Sequence, residues 1–393
     1  MRIFYFARID IGGDDAGTRH VFETCKQFAS MGHETLLFVP DLGSKRELSG
    51  VSIVQVPVLF RNSYVTYFTF HAFLFLYLFY LCLTNKPDAI YTRQQTLEWW
   101  ATWLKIVFGF RYGMEVNGLT LVELRISRVS LWIIFITRWM EWISFRFPDF
   151  WVVPTVQIRD FLCNEYHLDP NRFLVLSNGA DDEIFFPMDQ DSCRSQLGLN
   201  DGAKYLLFMG GFMTWHGILE LIEIMPNLIR SNSNIKLLLV GEGVLTPELK
   251  ARVNTLGLAE HVIFCGRRPL DEMPVFINAA DICLVPFFDE RSSFTGLSPL
   301  KLFEYMACGK PVVSCAIGGL DVFFKTYDIG EVVVSGDPME WVPVILSLLN
   351  DPERMQSYGE NGRQAVVEQF NWKIISRKIS KQLSGVQNDS LGN

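Results

Sequence analysis

Short apolar runs alternate with stretches of helical period along the whole chain, and most apolar runs end at a glycine or a polar turn. Residues 3–7 read as a strand running into Gly12-Gly13, followed by a helix from about 18 to 31 and, after Gly32, a strand at 34–39. Residues 51–56, 89–92 and 112–116 predict three more strands. Residues 150–154 open a last unit that ends at 173–176 and the turn Ser177-Asn178-Gly179. The alternation then restarts. Residues 205–209 run into Gly210-Gly211, 218–231 read as a helix, and 235–240 form a strand ending at Gly241. Strands at 262–265 and 282–286, a helix around 300–307 and a strand at 311–314 follow.

Strand, glycine and helix in series describe a parallel sheet covered on both faces. Two such series predict an α/β chain of two Rossmann-like domains, 1–182 and 183–372, with a disordered tail at 385–393. The polar stretch 181–203 reads as the linker. Residues 62–85 break the pattern: they carry no charge, and nine aromatic residues fall between Tyr64 and Tyr80. Their length satisfies a membrane span, but a crossover helix belongs between the third and fourth strands. A span, a membrane-docking helix and a buried helix all remain open. Trp132, Phe135, Trp139 and Trp142 share one helical face near Arg125, Arg128, Arg138 and Arg146, which suits a headgroup zone or a core stripe.

Composition narrows the classes. With 49% hydrophobic and 20% charged residues the chain is ordered and globular, and a net charge of −8 argues against nucleic acid as partner. The charge is uneven: residues 1–180 carry 17 Lys and Arg against 16 Asp and Glu, and residues 181–393 carry 18 against 27. Eight cysteines show no paired spacing and read as reduced, buried thiols. The start reads as a strand rather than a signal peptide, so the catalytic body is expected in the cytoplasm.

The strongest chemical signal runs from Ser298 through Pro299, Leu300, Lys301 and Glu304 to Gly309 and Val313. A loop of small residues (Thr295, Gly296, Ser298) meets a helix N-terminus, where free N–H groups attract phosphate. Glu304 falls about a turn and a half into that helix, where a carboxylate can accept both ribose hydroxyls of a nucleotide. This stretch resembles the retaining GT-B glycosyltransferases of family 4, the glycosyl transferases group 1. Gly12-Gly13 resembles that family's glycine loop, Ser177 to Asp181 its turn before the interdomain crossing, and Trp215-His216-Gly217 its donor-phosphate loop. Phe264-Cys265-Gly266, the run Ala280 to Pro286, and Phe370-Asn371-Trp372 match in order. Tyr91-Thr92-Arg93 with Glu115-Val116-Asn117-Gly118 resembles a subset acting in surface-polysaccharide and glycolipid pathways.

The resemblance implies a GT-B fold whose domains face a central cleft, with a final helix at about 373–384 returning to the first domain. It implies a nucleotide-sugar donor, no cofactor beyond that co-substrate, and no metal. Implied donor-binding residues are Gly12, Gly13, Gly211, Trp215, Gly217, Arg267, Gly296, Ser298, Leu300, Lys301 and Glu304. Glu115, Asn117 and His216 stand as candidate catalytic residues, Arg93 and His20 as acceptor-side ones. Two departures stand out. Gly296 occupies the place of the family's first glutamate, and Gly211 and His216 occupy the places of its Arg and Lys. Positive charge is then expected from Lys301, Arg267 or Arg268. The expected function is sugar transfer to a lipid-linked or glycan acceptor at the cytoplasmic membrane face, with the N-terminal domain on the bilayer. A sugar-nucleotide epimerase and a non-catalytic partner subunit are the alternatives.

Overall fold

The computed structural model describes every residue except 14, 60–62, 96–97, 128, 201, 288–294, 335 and 386–393, and for 63, 64 and 99 the backbone only. Arg128 of the aromatic stripe, Asn62 and nearly all of the expected tail therefore lie outside the described residues. The chain forms two compact units, 1–177 with 372–393, and 178–371.

The N-terminal unit contains β1 (Arg2–Phe6), α1 (Ala16–Ser30), β2 (Glu34–Pro40), β3 (Val51–Val56), α2 (Ser63–Thr84), β4 (Ala89–Arg93) and α3 (Trp99–Phe108). It continues with β5 (Arg111–Glu115), α4 (Thr120–Ile126), α5 (Leu131–Phe145), β6 (Phe150–Val153), α6 (Val156–Tyr166) and β7 (Phe173–Val175). Its seven-stranded sheet has the order β3-β2-β1-β4-β5-β6-β7, and every pairing between these strands is parallel. Strand order reverses between β1 and β4, and ligands of open α/β sheets bind outside the carboxyl ends at such a point.

The C-terminal unit contains α7 (Gln190–Gln196), β8 (Lys204–Met209), α8 (Ile218–Ser231), β9 (Ile235–Val240), α9 (Thr246–Thr255), β10 (Val262–Gly266), α10 (Met273–Ala279) and β11 (Ile282–Val285). Then come α11 (Leu300–Ala307), β12 (Val312–Cys315), α12 (Leu320–Tyr327), β13 (Gly330–Val333), α13 (Trp341–Leu349) and α14 (Pro352–Glu368). The parallel six-stranded order β10-β9-β8-β11-β12-β13 reverses between β8 and β11. The last helix, α15 (Trp372–Leu383), packs on α1 and belongs to the N-terminal unit.

Residues 181–203 are not a linker. They fold into the C-terminal unit, where Asp189 caps α7 and buried Arg194 pairs with Asp281 at 2.7 Å. Polar composition misled here because the stretch spends its charges on caps and a buried ion pair. Returning α15 to the N-terminal unit also sharpens the charge division. That unit holds 21 Lys and Arg against 17 Asp and Glu, the other 14 against 26.

Helix α2 is a crossover helix. Phe70, Leu74, Leu78 and Cys82 follow one another at four-residue spacing and are buried in the N-terminal core. By length and composition 65–84 could cross a bilayer; the burial of this face on the sheet assigns it to the fold. Its other face is open: Phe68, Leu76, Phe79, Tyr80 and Leu83 are exposed. Helix α2 packs on α3 and α3 on α5, and both neighbours continue the exposed surface with Trp103, Ile106, Trp132, Phe135, Trp139 and Trp142. The aromatic stripe of α5 therefore faces solvent, 65% exposed at Trp132 and 59% at Trp139, and is not core.

Candidate active site

In the C-terminal unit the candidate residues converge on the reversal between β8 and β11. Strand β8 ends at Met209, whose N–H donates to the Tyr305 hydroxyl of α11 at 2.8 Å. The chain then passes Gly210 at φ 137°, where a Cβ would stand 3.0 Å from Lys301 Nζ. That backbone conformation favours glycine. Lys301 is in the first turn of α11, yet it is buried rather than solvated. Its ammonium lies over the Phe208 ring, 3.9 Å from the centroid, and has no hydrogen-bond partner among the described residues. Burial drives its pKa down to about 7, although Glu304 nearby works in the opposite direction.

Helix α11 begins at Leu300 after Pro299, and no side chain caps it. The Leu302 N–H is donated to the Pro299 carbonyl at 3.0 Å, and among the described residues no side chain takes the N–H groups of Leu300 and Lys301, which a ligand or water can meet. Glu304 is buried one turn further on. Gly296 adopts φ 68°, and the Ser298 hydroxyl accepts the Asn178 N–H at 2.8 Å while the Asn178 amide donates to the Ser298 carbonyl. The turn 177–181 thus holds the approach to α11 in place.

His216 departs from expectation. Its Nδ1 lies 2.6 Å from the Gly211 carbonyl, its ring packs edge-on against Phe287, and burial followed by the Lys301 charge lowers its pKa to about 4. It is a neutral clasp for the loop and not a second cation. Trp215 is half-buried beside it, and Gly217 starts α8 at φ 60°. Arg267 follows β10, two strands from β8 and thus about 10 Å from it in the sheet. Arg268 is tied to the Cys265 carbonyl at 2.8 Å and to Glu272 at 3.6 Å. Of the three cations considered, Lys301 is the one at the reversal.

In the N-terminal unit, Glu115 closes β5 and is buried. Its carboxylate meets His20 Nε2 at 2.9 Å and accepts from the hydroxyls of Tyr5 and Tyr91 at 3.1 Å each and from the Asn117 amide. Burial alone would raise its pKa; His20, Arg93 and Asn117 overcome that and hold it at about 2. A carboxylate so saturated is a poor proton acceptor, so Glu115 orients His20 and Asn117 rather than serving as a base. His20 also packs edge-on against Trp372 at the start of α15. Arg93 donates to the Gly17 carbonyl at 2.9 Å.

The glycine loop also differs from expectation. The N–H of Gly12 donates to the Asp10 carboxylate and that of Gly13 to the Asp10 carbonyl, both at 2.9 Å. Asp15 takes the N–H groups of Gly17 and Thr18. Within this unit those donors are used and two carboxylates stand at the start of α1, so Gly12 and Gly13 offer no free amide cradle for phosphate. The sequence also contains one Asp-x-Asp triplet, Asp189-Gln190-Asp191, whose Asp189 carboxylate is spent capping α7. Among the described residues no three His, Cys, Asp or Glu side chains cluster to hold a metal. Tyr5 escaped sequence reasoning, and Tyr91 and Gly210 were named there only as motif and turn positions, since nothing in a strand pattern marks which tyrosine meets a carboxylate.

Residues 17–184 match the model of glycosyltransferase family 4, and residues 189–365 match glycosyl transferases group 1. The chain belongs to glycosyltransferase family 4. D-inositol 3-phosphate glycosyltransferase from Segniliparus rotundus is 32% identical over 219 residues, covering 55% of this chain and 47% of that one. The match thus spans about half the length of that relative. Two solved structures share the fold over 98% of this chain and all of theirs. WaaG, a glycosyltransferase involved in lipopolysaccharide biosynthesis, has a TM-score of 0.75 at 17% identity. Anabaena Alr3699/HepE in complex with UDP-glucose has a TM-score of 0.75 at 16% identity. The two-unit α/β architecture is that of GT-B glycosyltransferases.

Proposed function

We propose that this chain is a retaining, metal-independent glycosyltransferase that moves a sugar from a nucleotide-sugar to a lipid-linked or glycan acceptor. The observation that carries the reading is the buried Lys301 ammonium, held without a hydrogen-bond partner among the described residues beside the uncapped start of α11. A buried ammonium without a hydrogen-bond partner is costly even with Glu304 nearby, and a donor diphosphate at the helix N-terminus would supply both the hydrogen bonds and further negative charge. Glu304 would accept the ribose hydroxyls. The bound UDP-glucose of the Anabaena neighbour supports a donor of this class.

In the proposed reaction the acceptor hydroxyl attacks the anomeric carbon from the face the diphosphate leaves. The new carbon–oxygen bond forms as the bond to the phosphate oxygen breaks, and the hydroxyl proton passes to that oxygen. Lys301 and the first-turn amides of α11 would stabilise the departing charge, the main catalytic contribution in such a site. The N-terminal unit would take the acceptor, with His20, Arg93 and Asn117 ordered around Glu115.

The membrane part rests on the open face of α2, α3 and α5. Its aromatic residues border Arg138, Arg146 and Lys105, and Arg146 lies over the Trp142 ring at 4.4 Å. Aromatic residues rimmed by cations suit an anionic headgroup layer, and the unit that carries them has the positive balance. The protein would sit on the cytoplasmic face of the membrane, docked in-plane. Incubating it with labelled nucleotide-sugars and a membrane extract tests the reading. Transfer from one donor, weakened by Glu304→Gln, is expected; UDP-sugar binding without transfer to any acceptor would favour a non-catalytic partner subunit.

A further inference from the structure

Helix α5 has two faces. Trp132, Phe135, Trp139 and Trp142 point to solvent, while Glu141 lies on the other side and is buried. Its carboxylate accepts from the Gln94 amide after β4 at 3.0 Å, from the Tyr166 hydroxyl of α6 at 2.5 Å, and from Thr120, the first residue of α4. Gln94 in turn donates its N–H to the Glu115 carbonyl at 2.7 Å. One side chain therefore ties the helix bearing the aromatic stripe to the two segments that flank Glu115.

We propose that Glu141 is a positioning residue that transmits the seating of α5 on a bilayer to residues 93–95 and 117–120 of the acceptor side. This rests on the docking reading above. Apolar packing alone tolerates small sliding of a helix, whereas a carboxylate with donors from three elements fixes one register. A shift of α5 on a lipid surface must then move or tighten all three partners together. Glu165 and Tyr166 on α6, Thr120 on α4, Gln94 after β4 and Arg138 on α5 face this carboxyl or its neighbours, and Arg138 and Arg125 both pair with Glu165. Burial, with Glu165 adding, raises the Glu141 pKa to about 7, so the tie titrates near neutral pH.

The test is hydrogen exchange by mass spectrometry on the full chain, with and without vesicles of phosphatidylethanolamine and phosphatidylglycerol. Vesicles are expected to slow exchange on α2, α3 and α5 and also, severalfold, at 93–95 and 117–120. Glu141→Leu should bind vesicles equally and lose only the second effect. In Glu141→Gln, which keeps an acceptor and carries the test should the Leu variant not fold, the transmitted protection should no longer vary with pH across neutrality. Vesicle binding without change at 93–95 and 117–120, or with unchanged transmission in Glu141→Leu and unaltered pH dependence in Glu141→Gln, overturns the inference and leaves docking intact. Absence of vesicle binding overturns both.

Discussion

Lys301 gives the sharpest test of the donor site, because its ammonium is poised to change charge when a diphosphate arrives. Burial holds its pKa at about 7, against an ordinary 10.5. At pH 8 roughly one lysine in ten is then charged, and at pH 7 roughly half are. A diphosphate placed against the amine returns the pKa toward its ordinary value, so binding takes up roughly 0.9 proton at pH 8 and roughly 0.5 at pH 7. If the charged form alone binds, affinity falls about tenfold per pH unit above 7 until the bound-state pKa is reached. UDP is already fully ionised at pH 8, its terminal phosphate titrating near about 6, so that uptake cannot come from the ligand. Calorimetric titration with UDP in phosphate and in Tris at pH 8 reads the uptake as a difference in apparent enthalpy. Lys301→Met should abolish the difference and weaken binding. Tight UDP binding with identical enthalpies in both buffers would refute the assignment of Lys301 to the diphosphate.

Three further outcomes follow from the same geometry. Lys301 has a lowered folded pKa, so the unfolded chain binds more protons between about 7 and about 10.5; stability should rise by about 1 kcal/mol per pH unit across that window, and urea titrations of Lys301→Met should lose this slope. Glu115 is the opposite case: with a folded value of about 2 against 4.5 unfolded, it contributes roughly 3 kcal/mol above pH 4.5 that disappears as pH falls toward 2, a loss that acid unfolding of Glu115→Gln should no longer show. Flotation with anionic liposomes should carry the native protein upward and leave Trp139→Glu with Phe79→Glu in the soluble fraction; a native protein that stays soluble would show that the apolar face has another occupant.

The alternation of apolar strands and helices was legible because both sheets are parallel and their central strands are buried on both faces, so those strands stand out as short apolar blocks, whereas the partly buried edge strand β13 was missed. Leu300–Ala307 and Ile218–Ser231 fall where the pattern puts them for that reason. Helices such as α7 and α14 were missed: α7 is short and polar, and α14 carries Gly359 and Gly362 in its interior, where composition speaks against a helix. Gly359 is there because Gly309 comes so close that a Cβ would meet its carbonyl oxygen at 2.1 Å. Such a contact between distant segments leaves no trace in local pattern. The site was legible as positions but not as protonation states. Motif spacing finds His216, Glu115 and Lys301, while the burial of all three, the His20 and Arg93 charges beside Glu115 and the Lys301 charge beside His216, which set their protonation, are fixed only by the folded chain.

That difference changes the chemistry assigned to the family's substituted positions. Gly211 and His216 stand where the family usually carries Arg and Lys, and the neutral His216 does not restore either charge. The positive charge at the β8–β11 reversal is instead a single ammonium enclosed by aromatic rings. Such a charge is scarcely screened by salt and polarises a partner more strongly than an exposed one. Without that partner it is only about half protonated at pH 7. An exposed Arg and Lys attract any anion at all times, whereas this lysine is fully charged at neutral pH only when an anion occupies the site. The acidic unit around it, 14 Lys and Arg against 26 Asp and Glu, works in the same direction by repelling anions that the α11 amides do not hold. Under the proposed function, selectivity for a diphosphate would then arise from where the charge is kept, with one buried lysine in place of the Arg and Lys that the family resemblance implies.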